Sequence, residues 1–406
     1  MRIHVVGIGA VGNFVAFHLR RSLAARHSVV ALHRIETANA IKELPTGPKL
    51  FVERDGTVVP QDGVIHMSYG EPRYRIRRSD FAPAAFVHKD DSSLREEVGH
   101  IDSLIITSKA YAAPAILNSL KRNISRDSTI VLLHNGMGVY EQIIEDLFPQ
   151  PNDRPNFIFG VNTHGLYSRA PLHSVHTGVG RIRLGIAPDT FGRDFEATRK
   201  TAGMFWEARL SLDDIASPTE KDVSPRYLNL RNTIAALTRA PGLRATWEPL
   251  YNVLIAMRQK LVVNSFINPV SALLQCQNGA TLNSVYGRTV ADRVCREAEH
   301  VFMLQYESEV AEQRKIAGKN IYVKPFPRQL IAGVLRDEIE RVVEHTSSNY
   351  SSMYWDIRFR RPTEIDFING YLINMSKKHH YRPMTHLSLT HLIKMRMAIP
   401  LAPAAA

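Results

Sequence analysis

Cysteine is close to absent. Cys276 and Cys295 are the two thiols in 406 residues, too few for a disulfide framework or a cysteine-ligated metal cluster. A reducing compartment suits that scarcity. Long apolar runs are missing as well: no stretch reaches the roughly eighteen residues of a membrane span, so no span is expected. Neither a low-complexity tract nor an internal repeat suggests a solenoid. Carboxylates are outnumbered, 39 against 51 Lys and Arg, leaving a formal net charge of +12. Such a balance suits nucleic acid, an anionic membrane surface, or an enzyme of anionic small molecules. The basic concentrations at Arg73 to Arg78 and Arg358 to Arg361 lack the aromatic interleaving of an RNA-recognition strand, so they read as solvated charge and no nucleic-acid partner is expected. His164, His176 and the pair His379-His380 have no metal-ligand constellation, and no metal is expected.

What is present is enough for a large core. With 44% hydrophobic and 22% charged residues, the chain should fold as two domains. Residues 2 to 6, RIHVV, form a short β-branched run followed at once by GIGAVG: Gly7, Ile8, Gly9, Ala10, Val11 and Gly12. That is the strand, tight turn and helix in which glycines serve a dinucleotide. Gly7 permits the turn, Gly9 lets backbone approach a pyrophosphate, and Gly12 lets the helix pack on the strand. The pyrophosphate would sit at the positive end of that helix. A second strand, Ser28 to Leu32, ends in His33-Arg34, where an arginine accommodates a 2′-phosphate and a carboxylate would bond the ribose hydroxyls. NADP(H) is therefore the expected cofactor, although Glu36 stands two residues on. With the turn this near the first residue, no cleavable targeting peptide is expected. A cytoplasmic location is expected, with mitochondrial association left open.

Beyond that unit, residues 45 to 100 look like an insertion or an elaborated sheet edge, with a hairpin suggested at Asp55-Gly56. Strand signals resume at Ser103 to Thr107, ending in Lys109, and at Thr129 to Leu133, ending in His134-Asn135-Gly136. Polar residues at the carboxyl ends of parallel strands face the ligand crevice of an open α/β sheet. Phe157 to Val161 reads as a further strand, and Val175 to Gly185 as another. Residues 213 to 228, with Pro218 and Pro225, mark a linker, after which the pattern is helical at about 229–240, 247–275, 288–318, 326–345 and 361–380. The expected architecture is α/β: an N-terminal Rossmann-type domain over 1–215, a linker over 216–245 and an all-helical domain over 246–406, with the active site between the two.

Within the helical half, Lys260, Asn264 and Asn268 are spaced by four and closed by Pro269. At about 100° per residue, steps of four drift little, so an ammonium and two carboxamides line one stripe. Leu261, Val262, Val263, Phe266 and Ile267 crowd its flanks, and a polar stripe there either faces a cleft with partners or is an ordinary solvated helix face.

Taken together, GIGAVG, SKAY, LLHNGMG, KLVVNSFINPVSALLQCQNG and SSMYWDIRFRRPTEIDFINGYL resemble the ketopantoate reductase family over most of the chain. The length of the 45–100 insertion and of 210–245 resembles a fungal or other eukaryotic form. The resemblance implies NADPH-dependent reduction of 2-dehydropantoate to pantoate, in the route to pantothenate and coenzyme A. It implies Lys260 as the catalytic acid and assigns Asn264, Asn268, Asn278 and Ser352 to the substrate. It places Glu364 at the nicotinamide end of the cofactor, Asn135 on cofactor and substrate, and Lys109 and Arg34 on the phosphate side. Thr163 and the backbone near Leu166 take further cofactor-side positions, where NTHGLY departs from the smaller residues of the family. Ala112 stands where the family often has a polar cofactor contact.

The chemistry suits these residue types. Hydride addition to a ketone leaves charge on oxygen, so a cation that is also a proton donor must stand beside that oxygen. Lysine is both. Neutral carboxamides and a hydroxyl orient a small anionic 2-oxo acid without competing as acids. For Glu364, a helix-capping role with Thr363 stays open beside the catalytic one. Three alternatives remain: a reductase of another branched 2-oxo acid, a β-hydroxyacid dehydrogenase relative, and a basic RNA- or translation-associated protein on the same fold. Pairing into a homodimer is open for the helical half.

Overall fold

The computed structural model describes residues 1–70, 98–198, 210–217, 219–220, 222–318 and 322–399. The chain divides into two compact units, residues 1–134 with 139–253, and residues 135–138 with 254–406.

The first unit is built on an eight-stranded sheet. Its strands in chain order are β1 (Arg2–Val6), β2 (Ser28–Arg34), β5 (Val64–Tyr69), β6 (Ser103–Ile106), β7 (Thr129–Leu132), β8 (Asn156–Asn162), β11 (Ile182–Ile186) and β12 (Ala245–Trp247). They lie in the order β12-β11-β8-β7-β6-β1-β2-β5. The strands from β8 to β5 pair in parallel, and β11 runs antiparallel to β8. Parallel strands are covered on both faces and so read as unbroken apolar runs. That is why SLII and TIVL are buried at every position. A smaller sheet carries β3 (Leu50–Arg54), β4 (Thr57–Gln61), β9 (Gly165–Ala170) and β10 (His173–Gly178) in the order β4-β3-β10-β9. The hairpin suggested at Asp55-Gly56 joins β3 to β4, with both residues at positive φ, 49° and 78°. Residues 71–97 of the expected insertion lie outside the described residues; its described part supplies this hairpin and the edge strand β5.

Helices α1 (Ala10–Ser22), α2 (Ile35–Lys42), α3 (Ala113–Leu120), α4 (Val139–Asp146) and α5 (Pro225–Thr238) belong to the same unit. Two expectations are corrected here. The run from Val175 to Gly185 is two strands in different sheets, β10 ending at Gly178 and β11 beginning at Ile182; between them Gly180 passes so close to the backbone of Thr163 and His164 that any side chain would collide. The segment 216–245 is no linker: Pro225 is the first residue of α5, where a missing N–H costs nothing. Arg226 and Asp189, side chains 5% and 0% exposed, pair at 3.1 Å beneath it. The division between units falls after Val253 instead.

The second unit is helical, with α6 (Leu250–Leu274) entering it and α7 (Val285–Ala317), α8 (Ala332–His345), α9 (Ser352–Arg358), α10 (Asn369–Lys377) and α11 (Met384–Ala398) following. Its core gathers Phe266, Ile267, Phe302, Leu335, Ile339, Leu372 and Ile393. The helix expected over 361–380 is split, since Ile368 at φ −104°, ψ −89° separates the turn Ile365–Phe367 from α10. No described helix is long and apolar enough to cross a membrane.

Candidate active site

The glycine turn joins β1 to α1. Gly7 has φ 86°, and a Cβ there would strike the backbone of Ser108. At Gly12 a Cβ would lie 2.5 Å from both the Gly7 carbonyl and Thr107 Oγ1, the close approach that sequence spacing suggested. Gly9 differs: its nearest neighbour would be the Gly7 carbonyl at 4.0 Å, so the space beside it is open. Helix α1 starts there with no side-chain cap and no acidic residue in its first turn. Its first N–H groups and dipole are therefore available to an anion, and the segment Gly7, Ile8, Gly9, Ala10, Val11, Gly12 fits a dinucleotide pyrophosphate. Arg34 is exposed at the end of β2 and leads into α2, whose first turn holds Glu36. Lys109 is half-buried just past β6, and Leu166 is half-buried in β9.

In the second unit, Lys260 lies on α6 with Asn264 and Asn268 following at the same face. Lys260 Nζ donates to Asn135 Oδ1 at 2.9 Å. Burial of the ammonium pushes Lys260 down from 10.5 to about 8, against the opposing pull of the Glu364 carboxylate. The residue keeps some accessible surface, so it is the ammonium end, enclosed by protein, that loses hydration. Glu364 is 2% exposed. It stands where the chain turns, its carbonyl accepting from the N–H groups of Phe367 and Ile368 at 3.0 and 3.1 Å. The structure thus brings Lys260, Asn135 and Glu364 into one electrostatic group, and a general acid with a value near 8 is charged yet able to release its proton around neutral pH.

The remaining residues are placed unevenly. Asn264 is half-buried and Asn268 buried. Asn278 is buried, its Nδ2 donating to Thr346 Oγ1 at 3.1 Å while Oδ1 has no partner among the described residues. Ser352 is exposed as the first residue of α9. It is Ser351 that is buried, capping α9 by accepting from the Tyr354 N–H and lying 2.8 Å from the Ser271 hydroxyl. Ser271 in turn reaches the Asn268 carbonyl at 3.3 Å, so Ser351 is linked to the Lys260 helix in a way the sequence reading missed. The signal available was a serine pair directly before a helix, the place of an N-cap, and it does not by itself say which serine caps. Gly136 is the other omission: at φ 79° it passes the Phe367 carbonyl where a Cβ would stand 2.5 Å away. Among the described residues no group of three or more His, Cys, Asp or Glu could hold a metal.

Two family models match the chain, ketopantoate reductase PanE/ApbA over residues 3–189 and its C-terminal counterpart over 252–397. A 2-dehydropantoate 2-reductase of Vibrio cholerae is 27% identical over 97% of each chain. That of Saccharomyces cerevisiae is 25% identical over 98% of this chain and 94% of its own. A D-mandelate dehydrogenase solved with NADH and anilino(oxo)acetate shares the fold, with a TM-score of 0.65 and 19% identity over 98% of each chain. With both halves matched in order and together spanning most of its length, the chain belongs to the ketopantoate reductase family of oxidoreductases.

Proposed function

We propose that this protein reduces 2-dehydropantoate to pantoate with NADPH, supplying the route to pantothenate and coenzyme A, with Lys260 as proton donor. The observation that carries the reading is the Lys260 ammonium, bonded to Asn135 at 2.9 Å, facing the charge of Glu364 and brought down to about 8. A dinucleotide held at the glycine turn would supply a hydride to the carbonyl carbon. Lys260 holds the carbonyl oxygen, stabilises the charge that gathers there and gives it a proton, becoming a neutral amine that regains a proton from solvent. Glu364 keeps that amine charged at rest, and Asn135 aims it. Asn264, Asn268, Asn278 and Ser352 orient the carboxylate and hydroxyl of the substrate; the unspent Oδ1 of Asn278 supports its share, since a buried acceptor favours a hydroxyl that can donate to it.

On the cofactor side, the open space at Gly9 supports the pyrophosphate, and the exposed Arg34, with Lys109, supports a 2′-phosphate and hence NADPH over NADH. Leu166 lends backbone on that side. Two free thiols fit a reducing cytoplasm. The test is oxidation of NADPH followed by absorbance with 2-dehydropantoate, 2-oxoisovalerate and oxaloacetate, run beside Lys260→Ala. Preference for a different 2-oxo acid would move the substrate assignment, and near-normal turnover by Lys260→Ala would remove the role of Lys260.

A further inference from the structure

Helix α6 carries Pro269 in its interior. Proline has no N–H, so the carbonyl four residues earlier, that of Ser265, loses the donor a regular helix would give it. Asn369, 0% exposed at the start of α10, supplies the replacement: its Nδ2 donates to the Ser265 carbonyl at 3.0 Å. The other amide hydrogen goes to His386 Nδ1 at 3.2 Å. A carbonyl can only accept, so the amide has one orientation. His386 is held in the matching tautomer, Nε2 donating to the Val294 carbonyl at 3.2 Å. Glu297 on α7 accepts from the N–H groups of Thr385 and His386 at 2.8 and 3.2 Å, anchoring the start of α11. Asn369 Oδ1 is left without a partner among the described residues. That cost is consistent with a residue held for its two donors.

What Asn369 joins is the reacting group. Ser265 follows Asn264 on the Lys260 helix. Five residues before Asn369 stands Glu364, whose turn is closed by the N–H groups of Phe367 and Ile368. The Phe367 carbonyl accepts from the Met137 N–H at 2.9 Å, two residues beyond Asn135, the partner of Lys260. One short segment therefore carries Glu364, ties down the Asn135 turn and grips α6.

We propose that Asn369 is a positioning residue, which fixes Glu364 and Asn135 against Lys260 by giving the Ser265 carbonyl the donor that Pro269 withholds. The proposal rests on the reading of Lys260 as proton donor. Asn369→Leu keeps the size and removes both donors. It is expected to lower kcat about tenfold or more with KM changed less than about threefold, the pattern of a lost transition-state interaction. As Glu364 drifts, the titration of Lys260 is expected to move further down, followed by NMR of carbon-13-methylated lysines with Lys260→Arg identifying the signal. Pro269→Ala restores a helix donor to Ser265, so the double variant Pro269→Ala/Asn369→Leu should regain thermal stability without regaining kcat or the Lys260 titration. It carries the test alone if the single variant does not fold. An Asn369→Leu enzyme with wild-type kcat and Lys260 titration would overturn the proposal. So would a double variant restored in all three, which would make Asn369 a plug for a stray carbonyl. The titration needs no turnover, so a protein that reduces none of the 2-oxo acids would sink the reductase reading and still judge Asn369.

Discussion

Replacing Lys260 by methionine should make the protein more stable and inactive together. The ammonium ordinarily titrates at 10.5 and here at about 8, which sets about 3 kcal/mol against the charged form in the native state. The attraction of Glu364 is already inside that value, since it raises the pKa and burial still wins. Methionine resembles the neutral lysine in size. It forfeits the bond to Asn135 at 2.9 Å, worth about 1 kcal/mol net. A gain of about 1–2 kcal/mol at mildly acidic pH remains.

The pH dependence separates this account from simple repacking. Below about 8 both native and unfolded chains hold the proton, and the native state bears the full penalty. Between about 8 and 10.5 the unfolded chain binds more protons than the native one, so wild-type stability rises with pH relative to the methionine variant. The advantage of Lys260→Met should therefore shrink through that window and reverse above it. Urea unfolding of both proteins across pH, followed by circular dichroism, measures it. A variant no more stable than wild type at acidic pH, or a gap indifferent to pH, would refute the reasoning.

Other perturbations follow from the same geometry. Gly9→Ala, at φ −91° with nothing nearer than the Gly7 carbonyl at 4.0 Å, should fold with stability within about 0.5 kcal/mol of wild type while losing about tenfold or more in NADPH affinity. Gly12→Ala should lose both, because its Cβ meets the Gly7 carbonyl at 2.5 Å; titration calorimetry beside thermal melts tells the two apart. Arg34→Ala should raise the KM for NADPH by about tenfold or more and leave that for NADH nearly unchanged, a charge-assisted contact being worth about 1.5–3 kcal/mol; equal losses with both cofactors would count against the 2′-phosphate assignment. The first unit should also be acid-labile. His164 Nε2 donates to the Leu243 carbonyl at 3.0 Å while Nδ1 accepts from His176 Nε2 and the Gly180 N–H, so a second proton would meet two donors. Burial lowers His164 and His176 and takes His18 down to about 4. The unfolded chain takes up protons below 6.5 that the native one refuses, so the melting temperature should fall from pH 6.5 towards about 4, less steeply in His164→Gln.

The features legible in the sequence were those with a local physical cause. Gly7 holds the positive φ of the turn and Gly12 passes the Gly7 carbonyl five residues back, and β6 and β7 announce themselves as apolar runs because a parallel strand is covered on both faces. Lys260, Asn264 and Asn268 fall on one stripe by helix geometry alone. Illegible were the features decided by distant partners. Nothing in HTGVGRIRLG tells that Gly180 crosses the Thr163 backbone or that the strands on either side of it belong to different sheets. Pro225 can end a segment or begin a helix, and the buried Asp189 under Arg226 decides for the helix.

Pro269 belongs to neither class, and it shows how far sequence can reach. A proline inside a helical run of apolar residues implies a carbonyl four residues back without its helix donor, and that carbonyl, on Ser265, is fully buried with its residue. The sequence therefore states a debt and the position of the debt, but not the creditor. Candidate donors are numerous in a chain with this many Asn, Ser and Arg side chains, and only the turn after Glu364 brings Asn369 to 3.0 Å. The same contact that satisfies Ser265 joins the segment carrying Glu364 to the helix carrying Lys260. A helix break that looks like a local blemish is thus the point at which α10 is tied to α6.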